Sequence, residues 1–265
     1  MIKRITSAEN AKVKAFRRLY IRKNRDRDKL FIIEGPTLIK EAVSSDIQLE
    51  TVFIREGYEF ALCVDGDVKS ICKNIYELPE TLFDHIVETD TPQGAAATAR
   101  IPYTESDVFY DLCNSIVILD RIQDPGNIGT ILRTAEAAGF DGIIAMRGTA
   151  DLFSPKTVRA AAGSLYRINI IYESEPEKVL KDLKHYDISS FCTSPRAEIK
   201  YFDADLRGNI ALIVGNEANG ACDVFMNKAD MNITLPMQGC NESLNAAVSA
   251  AIVMYESLRQ NIKKL

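Results

Sequence analysis

The chain has 265 residues, 46% hydrophobic and 26% charged, which fits one or two globular domains able to bury a core. No run approaches the roughly 18 to 20 unbroken apolar residues of a membrane span, and Met1-Ile2-Lys3-Arg4 turns polar too soon for a signal peptide, so the cytosol is expected. The net charge of −5 hides an asymmetry: residues 1–30 carry eleven bases and three acids, a net +8, leaving −13 for the rest.

In chain order, Ser7 is a candidate cap for a first helix, with Val13, Phe16, Leu19 and Tyr20 at helical spacing. Lys12, Lys14, Arg17, Arg18, Arg22, Lys23 and Arg25 fall around them, either as a phosphate-binding face or as an ordinary solvated one. A strand follows at 31–33, a turn at Glu34-Gly-Pro36 and a helix over 37–43. Strands at 50–54, 61–64 and 94–100 and helical pieces near 67–73 and 79–87 complete a small α/β unit over 1–100. The polar stretch 101–111, with its proline, reads as a linker.

Residues 112–265 alternate strands with helices: strands at 116–119, 143–145, 168–172, 188–192, 210–214 and 232–235, and helices at about 127–138, 155–163 and 243–260. That alternation predicts a parallel sheet covered on both faces, and Gly139 is placed to end its helix in the left-handed conformation. Six cysteines without a C-x-x-C pair read as reduced core thiols. The two histidines, His85 and His185, leave no zinc spacing and nearly exclude Ser-His chemistry. The dinucleotide fingerprint, the phosphate loop and the nucleophile elbow are all missing.

Three loops concentrate polar residues at strand ends. In the first, Leu119 leads through Asp124-Pro-Gly to Asn127, placed to cap a helix, and Arg133 interrupts an apolar run six residues on. The second delivers Gly215, Asn216 and Glu217 from an apolar strand, where a glycine would admit a ligand to the backbone or simply make a turn. The third runs from Leu235-Pro236 to Ser243-Leu-Asn245 and into a small-residue helix.

Together, Asp124-Pro-Gly-Asn-Ile-Gly with Arg133-Thr-Ala, Val214-Gly-Asn-Glu217, and Leu235-Pro-Met-x-Gly239 with Ser243-Leu-Asn245 resemble the SpoU-type RNA ribose 2′-O-methyltransferases of the SPOUT superfamily. The resemblance covers about residues 112–262 and includes Ser154-Pro-Lys156 to Gly163, with Ala161 where relatives often carry serine. The first unit resembles the small substrate-binding domain of that family through Phe31-Ile-Ile-Glu-Gly35 and Gln93-Gly94.

The resemblance implies a parallel α/β domain with a deep trefoil knot, a homodimer and S-adenosylmethionine without a metal. It places cofactor contacts around Thr193, Ser194, Gly215, Leu235 and Leu244. Arg133 takes the catalytic role, and Asn127, Glu217, Ser243 and Asn245 order the loop and orient Arg133 or the ribose. The substrate it implies is ribosomal RNA, favoured by the extra N-terminal domain, or tRNA; a thiostrepton-resistance-like rRNA methyltransferase would differ only in target nucleotide. A fold that binds RNA without catalysis and a base-nitrogen methyltransferase are the rival readings.

Overall fold

A computed structural model describes residues 2–59, 72, 74–239 and 243–262. The strand expected at 61–64 and most of the helix expected near 67–73 lie outside these residues. The chain divides into two compact units, one of residues 1–102 with 151–166, the other of 103–150 with 167–265.

In the first unit, α1 (Ala11–Arg18), α2 (Arg22–Asp28), α3 (Pro36–Ser44) and α4 (Glu80–Ile86) pack with β1 (Lys3–Arg4), β2 (Leu30–Glu34), β3 (Leu49–Arg55), β4 (Ile75–Leu78) and β5 (Ala95–Arg100). The sheet order is β1-β4-β3-β5-β2, with β3 antiparallel to β5 and parallel to β4. Its core gathers Val13, Phe16 and Leu19 of the basic stretch with Ile32, Phe53, Leu78 and Phe83. The basic stretch therefore sits on folded helices and supplies part of the core. Asn10, rather than Ser7, caps α1 by accepting the Lys12 N–H at 2.8 Å, while Ser7 accepts the Glu9 N–H in the preceding turn.

Residues 151–166 leave the middle of the second unit's sequence and pack in the first. They carry α7 (Pro155–Ala161), capped by Ser154, and bring Phe153 to 5.2 Å and Tyr166 to 6.2 Å from the ring of Phe31. The same segment corrects the expectation for Arg25. That side chain is buried at 3% exposure and cannot reach RNA phosphate. It donates to Asp151 Oδ2 from Nε at 2.8 Å and from Nη2 at 2.5 Å, and to the Leu19 carbonyl from Nη1. Lys12, Lys14, Arg17, Arg18, Arg22 and Lys23 remain exposed, with Lys14 paired to Glu9, Arg18 to Asp28 at 2.8 Å and Arg22 to Asp26 at 3.7 Å.

In the second unit, seven strands run parallel in the order β10-β12-β9-β11-β6-β7-β8. They are β6 (Ser115–Asp120), β7 (Gly142–Met146), β8 (Asn169–Glu173), β9 (Ser189–Thr193), β10 (Ile199–Lys200), β11 (Ile210–Gly215) and β12 (Met231–Thr234). The helices are α5 (Ser106–Leu112), α6 (Pro125–Ala137), α8 (Pro176–His185), α9 (Asp223–Lys228) and α10 (Ala246–Asn261). β6, β7 and β8 step one way along the sheet, and the later strands lie on the other side of β6. The direction therefore reverses at β6 and β11, where ligands collect in open parallel sheets. Ile116, Ile118, Ile144, Ala211 and Ile213 form the core with Val179 and Leu183 of α8 and Phe225 of α9. Burial pushes the Cys113 and Cys192 thiols up to about 12, so both behave as reduced apolar side chains.

Several local expectations shift. α5 (residues 106–112) begins inside the stretch 101–111 read as a linker, because Phe109 and Tyr110 find a core to enter. Asp124, not Asn127, caps α6 by accepting the Gly126 N–H at 2.9 Å, with Pro125 in the first turn where it lacks no needed donor. α10 starts three residues later than expected, at Ala246, because Asn245 is its cap. Gly139 has φ +80 as anticipated.

Arg25→Ala should leave the Asp151 carboxylate buried without its cation and lower stability by about 3–5 kcal/mol, whereas Lys23→Ala should stay within about 0.5 kcal/mol. Urea unfolding of the two variants checks both values.

Candidate active site

The parallel register aligns Gly215 with Asp120 and Ile233 with Thr193, so the chains leaving β6, β9, β11 and β12 emerge at one edge. The end of β6 is the anchor. Asp120, 2% exposed, accepts from Arg121 Nε at 3.0 Å, from Arg121 Nη2 at 3.1 Å and from the Cys222 N–H at 2.6 Å. Arg121 is held at φ +61, with its N–H on Thr149 Oγ1 at 3.1 Å and its carbonyl accepting from Asn216 Nδ2 at 2.8 Å. Asn216 Oδ1 in turn accepts the N–H groups of Ala218 and Asn219, each at 3.0 Å.

Of the two readings the sequence left for Gly215, this turn accounts for the glycine. A Cβ there would fall 2.0 Å from the Ala221 nitrogen, so the chain's own backbone, not a ligand, fills the space that glycine frees.

Glu217 then reaches across to the first loop. Its Oε1 accepts from Asn127 Nδ2 at 2.9 Å and the Asp124 N–H at 3.4 Å, and its Oε2 accepts the Gln123 N–H at 3.2 Å. Asn127 is 8% exposed, and its Oδ1 accepts from Asn245 Nδ2 at 2.9 Å. Asn245 Oδ1 closes the series on the N–H groups of Ala247 and Val248, at 2.9 and 3.2 Å. Three of the five residues expected to be catalytic are thus joined in one hydrogen-bonded line. Burial works to raise the Glu217 carboxyl, but the donors from Asn127, Gln123 and Asp124 outweigh it and hold it below its ordinary value.

Arg133 stands apart from that line. It is exposed on α6 and makes no hydrogen bond or ion pair among the described residues. Ser243 is likewise exposed and unbonded among them, and residues 240–242 of the third loop lie outside the described residues.

The residues expected at the cofactor are mixed. Thr193 Oγ1 donates to the Ile213 carbonyl at 3.1 Å, and Ser194, 6% exposed, is fixed by its N–H on the Ile233 carbonyl at 2.9 Å. Leu235 is half-buried and Leu244 is 38% exposed. Among the described residues no backbone hydrogen bond engages 235–239. Peptide groups left open after β12, at the carboxyl edge of the sheet, suit a flat heterocycle with donors and acceptors on its rim. Among the described residues no group of three or more His, Cys, Asp or Glu is arranged to hold a metal ion, and no helix is long and apolar enough to cross a membrane. Asp120 and Arg121 escaped the sequence reading, which reached only Asn216 of this turn. Their signal was a charged pair directly at the end of an apolar strand.

The family model described as the SpoU rRNA Methylase family matches residues 114–255, and one described as the MRM3-like substrate binding domain matches 10–97. The chain is 35% identical over 254 residues to the 23S rRNA (guanosine(2553)-2′-O)-methyltransferase RlmP of Bacillus subtilis, covering 96% of this chain and 98% of that one. It is 28% identical to the 23S rRNA (uridine(2479)-2′-O)-methyltransferase of Streptomyces viridochromogenes, covering 98% and 93%. Among solved structures, an AdoMet-bound rRNA methyltransferase from Sinorhizobium meliloti superposes with a TM-score of 0.85 at 28% identity over 99% of both chains. The SpoU methyltransferase AviRb of Streptomyces viridochromogenes, in complex with AdoMet, gives 0.83 at 26% identity over 95% of this chain and 98% of that one.

Asn127→Ala removes a donor from Glu217 and an acceptor from Asn245, and should cost about 1–3 kcal/mol. Because the Glu217 carboxyl is lowered, its contribution is present above the ordinary carboxylate value and is lost as pH falls through the lowered one. Thermal unfolding between pH 7 and 3 should show a smaller acid-side drop for Asn127→Ala than for the unaltered protein.

Proposed function

The chain belongs to the SpoU rRNA methylase family, and on that premise we propose that it transfers the methyl group of S-adenosylmethionine to a ribose 2′-hydroxyl of 23S ribosomal RNA. The observation that carries this is the Glu217–Asn127–Asn245 line, which ties together the three loops in which the family motifs lie. The bound cofactor supplies a methyl group on a sulfonium, activated toward an oxygen nucleophile without a metal.

The protein's own work is positional and electrostatic. Thr193, Ser194, Gly215, Leu235 and Leu244 are assigned to hold the cofactor against the sheet edge. Asn127, Glu217 and Asn245 fix the start of α6 against the start of α10, so that Arg133 projects from a rigid helix. Ser243, directly before Leu244, is assigned to orient the ribose. Alignment of the reacting atoms can supply about 7–11 kcal/mol of the barrier. Arg133 is assigned to hold phosphate and to stabilise charge growing on the 2′-oxygen. A guanidinium is a very poor base, so this role suits it better than removing the proton. Having no partner among the described residues, its charge is available to substrate.

The first unit is assigned to the RNA, with Lys12, Lys14, Arg17, Arg18, Arg22 and Lys23 gripping phosphates; a ribose 2′-hydroxyl as target makes that RNA rather than DNA. A homodimer is proposed as well. Val248 and Tyr255 on α10, 46% and 50% exposed, offer an apolar face for a second copy. A knotted C-terminal segment and a cytoplasmic location complete the proposal. Support for the knot lies in β12 inserted between β10 and β9 and in the packing of α10 on α6 and β11.

Methyl incorporation from labelled S-adenosylmethionine into 23S rRNA tests the assignment. Arg133→Ala should lose roughly 100-fold or more in turnover while its cofactor affinity stays unchanged. Near-normal incorporation by that variant would remove Arg133 from the mechanism. A second expectation concerns salt. Lys12→Ala, Arg17→Ala and Lys23→Ala combined should flatten the dependence of RNA affinity on salt by roughly 0.7 to 0.9 of a log unit for each phosphate no longer neutralised. Filter binding between 50 and 200 mM salt reads the slope.

A further inference from the structure

The first unit contains a cavity of about 280 Å³ that the reaction does not use, just below the size of pockets that take drug-sized ligands. Its lining includes Glu34 and Gly35 from one short motif of that unit and Gln93 from another. Glu34, whose side chain is 2% exposed, accepts from Tyr20 Oη at 2.7 Å and from Arg159 Nη1 at 3.2 Å. The Arg159 side chain, 34% exposed, lines the cavity together with Glu34. Gly35 has φ +100, and a Cβ on it would fall 2.6 Å from Gln93 Oε1, so glycine at 35 is what lets the Gln93 carboxamide sit there. Gly94, at φ +81, is closed by the Tyr58 ring, which a Cβ would meet at 2.5 Å.

The lining combines two chemistries. Leu38, Phe83 and Val87 supply apolar surface. Gln93, Thr37 and Thr91 supply amide and hydroxyl groups with no hydrogen-bond partner among the described residues. The positive charge of Arg159 is already matched by the buried Glu34, so the cavity is not built for a phosphate. An apolar wall, a carboxamide that both donates and accepts, and a planar guanidinium that can stack are what one aromatic heterocycle needs. Sequence-specific readers of RNA take unstacked bases in this way.

We propose that this cavity receives a single unstacked nucleobase of the RNA substrate, distinct from the nucleotide that is methylated, with Gln93 reading its edge. The proposal rests on RNA being the substrate, and it adds a specificity contact to a unit otherwise assigned to phosphates.

The test uses the full chain and a minimal fragment of 23S rRNA that retains the affinity of the whole. Gln93→Ala should weaken binding roughly 3- to 10-fold, the worth of a hydrogen bond or two, while methyl transfer at saturating RNA is retained. Thr91→Trp, at the exposed mouth, should do the same by obstruction, which covers the case in which Gln93→Ala disturbs the fold. An abasic scan of the fragment should find one position, other than the methylated nucleotide, whose loss weakens binding to the unaltered protein but not further to Gln93→Ala. Equal affinity for all three proteins, or abasic losses that simply add to the variant's, would overturn the proposal. Base-dependent binding without methyl transfer would instead overturn the enzymatic reading and leave the cavity assignment standing.

Discussion

One carboxamide organises the second unit. Asn127 gives its amide hydrogen to Glu217, 90 residues away, and takes one from Asn245, 118 residues away. Its carboxamide does both because the donor and the acceptor share one planar end, the oxygen taking one bond while the amide nitrogen gives the other. A carboxylate in its place would lose the donor and repel Glu217. The starts of α6 and α10 are therefore set by the same group, and the direction in which Arg133 leaves α6 is inherited from it.

The electrostatics follow from that arrangement. Glu217 is satisfied by an amide side chain and two backbone N–H groups, so it stays ionised without consuming a cation. Arg133, on the same helix as Asn127, is left uncommitted among the described residues. The pattern in the first unit is the opposite. There Arg25 is committed to Asp151 and Arg159 to Glu34, and the exposed lysines and arginines of α1 and α2 carry the surface charge. Counting bases in the sequence could not separate these uses, because burial decides them and burial is set by a segment more than 120 residues downstream.

The alternation of apolar strands and helices made the parallel sheet legible, and the three polar strand ends marked the edge where Asn127, Glu217 and Asn245 meet. What stayed hidden was local competition between similar groups. Ser7 and Asn127 were read as helix caps, but Asn10 and Asp124, each three residues away, serve instead, and Asn127 is turned to Glu217 and Asn245. The helices α8 and α9 were missed: α8 carries a clear helical period in Val179, Leu180 and Leu183 that the reading passed over, whereas the six residues of α9 are too few to carry one. At Gly215 the sequence left a ligand approach and a turn both open, and only the packing against Ala221 shows the turn. A sequence shows that a side chain is absent, not what occupies the vacated volume.

The excursion of residues 151–166 makes the two units interleaved rather than consecutive. A fragment ending at residue 102 would lack the rings of Phe153 and Tyr166 that cover Phe31, and would leave Arg25 inside without a counterion. The N-terminal module is thus not a portable cassette. Grafting it onto another enzyme, or exchanging it between relatives by recombination, would require two splice points that change together. Such a polypeptide has reason to diversify the exposed surface of its first unit by point substitution more readily than by shuffling whole modules.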